Sequence, residues 1–200
     1  MRTPGPETGY VHDIDRERQR QANERRHEPL PGTGRAAEET VISFFQKNFP
    51  NVEVRPATGA EDSDDRMSGG RSIDAVAYRD GKPALGIQVT TTPDPRVRDE
   101  KYLAMMRNEP YLRLSEMKPA DPSIPRVLIH LDNNEVVRYL ADQNFDQHPK
   151  IGEQILTGSI NSLKFAATRS RDPADHKRIG ELLLMLEREM LNIKKQGKPN

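Results

Sequence analysis

The chain has no cysteine and no tryptophan among its 200 residues. The first absence excludes disulfides, thiolate nucleophiles and the cysteine-rich zinc modules. There is no excess charge of either sign: 31 Lys and Arg balance 31 Asp and Glu, and the pI is near 7.0. Whole-chain electrostatics therefore give no pull toward nucleic acid, and any basic surface has to be local. Apolar residues are sparse, 34 % against 31 % charged, with a mean hydropathy of −0.86. That is polar for a fully packed chain, so part of it is expected to be disordered. No apolar run reaches membrane-spanning length, and the opening MRTPGPETGY lacks the apolar segment of a signal peptide. A soluble, cytoplasmic protein with no membrane partner is expected.

What is present suits one domain with tails. Residues 1–32 read as a disordered charged arm in which Arg16, Arg18, Arg20, Arg25 and Arg26 alternate with acids. Residues 33–196 hold the apolar clusters of a single domain, and residues 197–200 are a short tail. The most informative stretch is Ser72 to Thr92, SIDAVAYRDGKPALGIQVTTT. Its odd positions Ile73, Ala75, Ala77, Leu85, Ile87 and Val89 are all apolar. Strand side chains alternate with period two, so these form the buried face. The even positions place Asp74, Gln88 and Thr90 together at one end of the second, wet face. Asp80-Gly81 is a hairpin turn signal. A three-residue loop, Arg79-Asp80-Gly81, with Gly81 left-handed keeps even with even, whereas a two-residue turn mixes the faces. Asp74 is then expected opposite Gly86 and diagonal to Gln88.

A helix is expected over Gly34–Asn48, with Ala37, Val41, Phe44 and Phe45 on one stripe. At ~100° per residue Glu38 falls at the margin of that stripe, and Glu39 falls in solvent. Val52–Pro56 reads as a strand. Residues 57–71 read as a polar loop whose Glu61, Asp62, Asp64 and Asp65 lack calcium-loop spacing. Asp94-Pro95 starts a helix to about Asn108 that turns Val97, Tyr102, Met105 and Met106 inward. Residues 109–125 form a proline-rich crossing. Arg126–Leu131 is a buried strand in which His130 reads as structural. Asp132 with Glu135 makes a capping-box-like start for a helix to Ala141. Residues 143–172 carry packing apolar groups without a clear period. A long C-terminal helix, Pro173–Lys195, presents Ile179, Leu182, Leu183, Leu186, Met190 and Ile193 on one face. Leu184 and Leu191 lie off it, so either the stripe is wide or a partner helix covers them.

This order, with Asp74 opening a hairpin that Gln88-Val89-Thr90 closes, resembles the PD-(D/E)XK nuclease superfamily over residues 34–142. The resemblance implies an α/β fold: an αβββαβ restriction-endonuclease-like core with a mixed central sheet flanked by helices. Asp74 matches the family Asp, Gln88 the Glu/Gln position, and Glu38 the acid of the first helix. The implied cofactor is Mg²⁺, held by Asp74, Glu38, Gln88 and the Val89 carbonyl. Thr90 stands where the family has its lysine, and a hydroxyl cannot supply that positive charge. Lys101 on the following helix is the candidate replacement, Arg98 the second, and Lys82 at the hairpin tip a poor one. Thr90 is then left to position water.

Two functional readings follow. In the first, the chain is a Mg²⁺-dependent nuclease for DNA or RNA, with Arg66, Arg71 and the N-terminal arginines holding phosphates. In the second, it is a catalytically inactive nuclease-like module that binds nucleic acid or a protein partner, or dimerises through the C-terminal helix. A third reading, a different α/β domain, expects Glu38 to stand apart from Asp74 and Gln88.

Overall fold

The computed structural model describes residues 33–58, 73–108, 110–114 and 116–196; for residues 33, 101, 104–108 and 196 it describes the backbone only. The N-terminal arm, the C-terminal tail and the acidic loop lie outside the described residues. Helix α1 (Thr33–Asn48) buries Ala37, Val41, Phe44 and Phe45 as its spacing predicts. Pro50 follows its last turn. Phe44 sets its ring edge against Phe145, 5.3 Å between centroids, which ties α1 to a connection about a hundred residues further along the chain.

Five strands form one mixed sheet in the order β1-β2-β3-β5-β4: β1 (Val52–Pro56), β2 (Ala75–Arg79), β3 (Lys82–Thr90), β4 (Tyr111–Leu112) and β5 (Ile124–His130). The pairs β1/β2, β2/β3 and β4/β5 are antiparallel, and β3/β5 is parallel. A parallel pair needs a long crossover. Helix α2 (Pro95–Asn108) and the segment through β4 provide it.

The hairpin differs from the expected three-residue loop. Asp80 and Gly81 form a two-residue turn with φ of 53° and 72°, both positive, the type I′ geometry that suits strand twist. The extra residue lies in β3 instead. Ala77 pairs with Leu85 but Tyr78 with Pro83, so Ala84 is the bulge. Pro83 lacks an N–H, and its place beside the bulge is where a strand tolerates that loss. Beyond the bulge the register differs by two residues from the expected one. Ala75 faces Ile87 and Val76 faces Gly86, so Asp74, which precedes the strand, does not stand opposite Gly86.

Ala75, Ala77, Leu85 and Ile87 join the main core with α1, and Val89 packs against it, as the alternation predicts. Ile73 is a correction. It precedes the strand and belongs to a second cluster with Val76, Tyr78, Leu114 and Ile124. That cluster also corrects the wet second face. The crossing segment, through Leu112, Leu114 and Met117, covers it at the β2 end. Gly86 has no side chain because a Cβ there would collide with Leu112.

Helix α3 (Asn133–Asp142) is capped by Asp132, whose carboxylate accepts from the Asn134 and Glu135 backbone N–H groups at 2.7 and 3.2 Å. The reciprocal half of a capping box is not made by Glu135. The Asp132 N–H donates to Gln154 Oε1 instead, at 3.1 Å. The unassigned stretch holds helix α4 (Pro149–Arg169), and α5 (Pro173–Gln196) packs on it. Along α5, Ile179, Leu182 and Leu186 are buried, while Leu184 and Leu191 are 70 % and 59 % exposed. On α2, Val97 is exposed rather than inward, and Tyr102 packs with Leu128 and Phe165. No helix among the described residues is long and apolar enough to cross a membrane.

Candidate functional site

Strands β3 and β5 run side by side and end together. Gln88 stands beside Leu128, Val89 beside Ile129 and Thr90 beside His130. In open α/β sheets the carboxyl ends of parallel strands are where ligands are met. Asp74 arrives at the same end from β2. Its N–H donates to the Ile87 carbonyl at 2.8 Å, and its Oδ2 accepts from the Val89 N–H at 2.5 Å. The carboxylate therefore ties the residue preceding β2 to the end of β3, next to Gln88 in the chain. In an antiparallel ladder the N–H and C=O of one residue point the same way. The Val89 carbonyl is thus on the Asp74 side of β3.

Thr90 is buried, and its carbonyl accepts from the Leu131 N–H at 2.9 Å. His130 was read as a structural histidine. Its Nε2 lies 2.8 Å from the Thr92 carbonyl. A carbonyl only accepts, so Nε2 carries the hydrogen of this contact. Its relevance was hidden because only the strand register brings it beside Thr90.

Glu38 lies in the second turn of α1 and is half-buried, whereas Glu39 is exposed and pairs with Arg35 at 3.1 Å. That is the placement the helical angle predicts. Lys101 is on α2, and its side chain lies outside the described residues. Arg98, one turn before it, is 3.5 Å from Asp99. Lys82 is exposed at the hairpin tip, eight residues from Thr90 along β3, or about 26 Å at ~3.3 Å per residue. Arg66, Arg71 and the N-terminal arginines lie outside the described residues. Among the described residues no three His, Cys, Asp or Glu side chains converge to hold a metal. The donor set named from sequence has two carboxylates, Asp74 and Glu38, with the Gln88 amide oxygen and the Val89 carbonyl. All are oxygens, and Mg²⁺ is ordinarily held by one or two carboxylates plus water and substrate phosphate, so this chemistry fits it.

Beside this end lies a groove of about 1020 Å³ between α2 and α4. Tyr102, Leu128, His130, Gln154, Asn161 and Phe165 are among its lining residues. Burial pushes the Tyr102 hydroxyl pKa up. The sequence reading missed this wall. Lys150, Gln154, Thr157, Asn161, Lys164 and Thr168 recur every three to four residues as one polar stripe, a signal that becomes legible once α4 is recognised. Comparison of the chain with protein-family models, with curated proteins and with solved structures finds no match, so its function has to be argued from the site itself.

Proposed function

We propose that the chain is a divergent PD-(D/E)XK-like nuclease domain with a restriction-endonuclease-like core, hydrolysing phosphodiester bonds of DNA or RNA with Mg²⁺. The observation that carries this reading is the Asp74 carboxylate held by the Val89 N–H at the carboxyl end of β3, one residue from Gln88. The order α1-β1-β2-β3-α2-β5, with the last strand parallel to β3, supports it. In this reading Asp74 and Glu38 hold the ion, assisted by the Gln88 side-chain oxygen and the Val89 carbonyl. Bound Mg²⁺ would polarise a phosphoryl oxygen and make a neighbouring water more acidic. The Val89 N–H fixes the Asp74 carboxylate through Oδ2. Thr90 positions the attacking water. Lys101, with Arg98 behind it, supplies the positive charge that Thr90 lacks and stabilises the phosphate as charge builds in the transition state.

A specific observation favours the second reading, an inactive module that binds nucleic acid or a protein partner. A neutral threonine occupies the lysine position, and it is buried in the strand end. The two readings separate in one assay. The protein is incubated with plasmid and single-stranded substrates and Mg²⁺ or Mn²⁺, beside Asp74→Ala. Cleavage that disappears in Asp74→Ala is the expected result. Cleavage unchanged by the substitution contradicts the assignment, and binding at low salt without cleavage favours the inactive module.

A further inference from the structure

We infer that the groove between α2 and α4 holds an unpaired nucleotide segment, so that the strand presented to the Asp74 end is single-stranded or frayed. The inference rests on the nuclease-like reading for its placement next to a reacting phosphate. The groove adjoins the candidate strand end: Leu128 and His130 line the groove and stand beside Gln88 and Thr90 in the sheet. A strand leaving one therefore enters the other.

The walls carry the two components that single strands require, aromatic faces for bases and cations for phosphates. Tyr102 and Phe165 are half-buried in the groove, ring edge to face, with centroids 6.4 Å apart. Arg169, outside the groove lining, sits over the Phe165 ring 5.2 Å from its centroid and steadies that ring. Leu128 forms an apolar floor between them. In a duplex the base faces are stacked on their neighbours, so rings in a groove wall reach only an unpaired base. Gln154 supplies a fixed polar group. Its Oε1 is occupied by the Asp132 N–H, which leaves its amide NH₂ to donate to a base edge.

Arg98, Lys150 and Lys164 provide the charge. Each has an acidic neighbour: Asp99 at 3.5 Å, Glu135 at 3.6 Å and Glu187 at 2.8 Å respectively. All three cations are exposed enough that such pairs are weak, and a phosphate can displace the carboxylate. Asp99 and Glu153 also line the groove, so the net field is small and base stacking has to provide selectivity.

The test is fluorescence anisotropy with a labelled single-stranded oligonucleotide and its duplex, in EDTA so that neither metal nor cleavage enters. The expected result is tighter binding of the single strand. Its log-log salt slope should be near −2, from three neutralised phosphates at about −0.7 each. Tyr102→Ala should weaken single-strand binding by about 5- to 100-fold, the usual loss of one base stack. Tyr102 also packs on Leu128 and Phe165, so the exposed pair Lys150→Gln and Lys164→Gln, which removes only weak surface ion pairs, carries the same test without disturbing the core. The double variant should lose most single-strand binding while keeping its thermal midpoint. Duplex preference, or single-strand binding unaffected in the double variant, overturns the inference. Absence of any strand binding at low salt overturns it too and favours a protein partner. The two proposals fail separately. Asp74-dependent cleavage with normal binding in the groove variants sinks only the groove. Groove-dependent binding with cleavage indifferent to Asp74 sinks only the nuclease assignment.

Discussion

Two glycines on neighbouring helices show how much a single position decides. In α4, a Cβ on Gly158 would lie 2.8 Å from the Leu128 carbonyl oxygen and 3.1 Å from the Ile129 Cα, both backbone atoms of β5. Backbone cannot move aside as a side chain can. Gly158→Ala should therefore destabilise by about 1–3 kcal/mol despite its better helix propensity. In α5, nothing lies within 4 Å of a Cβ on Gly180. Gly180→Ala should stabilise by about 0.5–1 kcal/mol. Urea melts of the two variants check both signs. The residues of the candidate site were partly legible at this scale. Period-two alternation was enough to separate Ala75, Ala77, Leu85 and Ile87 as the core face, and helical angle was enough to separate Glu38 from Glu39. His130 was not legible, because a lone strand histidine carries no signal until the parallel register seats it beside Thr90.

Among the elements, α4 explains both a failure of sequence reading and a feature of the fold. Its sequence includes Gly152, Gly158, Ser159, Ser162, Thr157 and Thr168, poor helix formers, and its start has no side-chain cap. Propensity alone does not make this helix. The same small residues let it lie close along the free edge of β5, and that packing stabilises it. β4 pairs with β5 only at Ile124 and Pro125, so the rest of that edge needs another cover. Ser162 gives it one: its Oγ accepts from the Leu128 N–H at 3.1 Å in a buried site. Ser162→Ala leaves that N–H unpaired and should cost about 1–3 kcal/mol, with faster amide exchange at Leu128 as the specific readout. The hairpin was misread for a related reason. The type I′ turn and the Ala84 bulge give the same face parity as a three-residue loop, so alternation alone could not separate them.

The α3–α4 connection makes an electrostatic prediction at the same scale. The Asn144 backbone N–H, 2.9 Å from Asp142 Oδ1, and then the His148 ring hold the Asp142 pKa below its ordinary 3.8. A depressed carboxylate pKa stabilises the fold fully above that ordinary value, and the contribution fades as pH falls through the folded pKa. Wild-type stability should therefore fall with pH below about 3.8, and Asp142→Asn should flatten that limb. Urea midpoints measured at a series of acidic pH values check the difference.

For the molecule as a whole, zero net charge excludes long-range steering toward polyanions, so recognition has to come from local geometry. The sheet concentrates that geometry at one end. The main core lies on one face, the crossing segment covers the β2 end of the other, and the carboxyl ends of β3 and β5 carry Asp74, Gln88, Thr90 and His130. The ordering of helix, strand, hairpin, helix, strand and helix was readable from the sequence because each has a distinct period or turn signal, whereas the parallel pairing of β5 with β3 was not. The groove was not, because it forms only where α2 and α4, elements far apart in the chain, meet over β5. The central claim is that this strand end binds a catalytic divalent ion. Its most direct test is an anomalous difference map from crystals of the protein soaked in Mn²⁺. The account predicts a peak coordinated by the Asp74 carboxylate, with the Val89 carbonyl, Gln88 and Glu38 around it. A map with no peak there, a peak elsewhere on the chain, or Glu38 too distant to share the ion would contradict it.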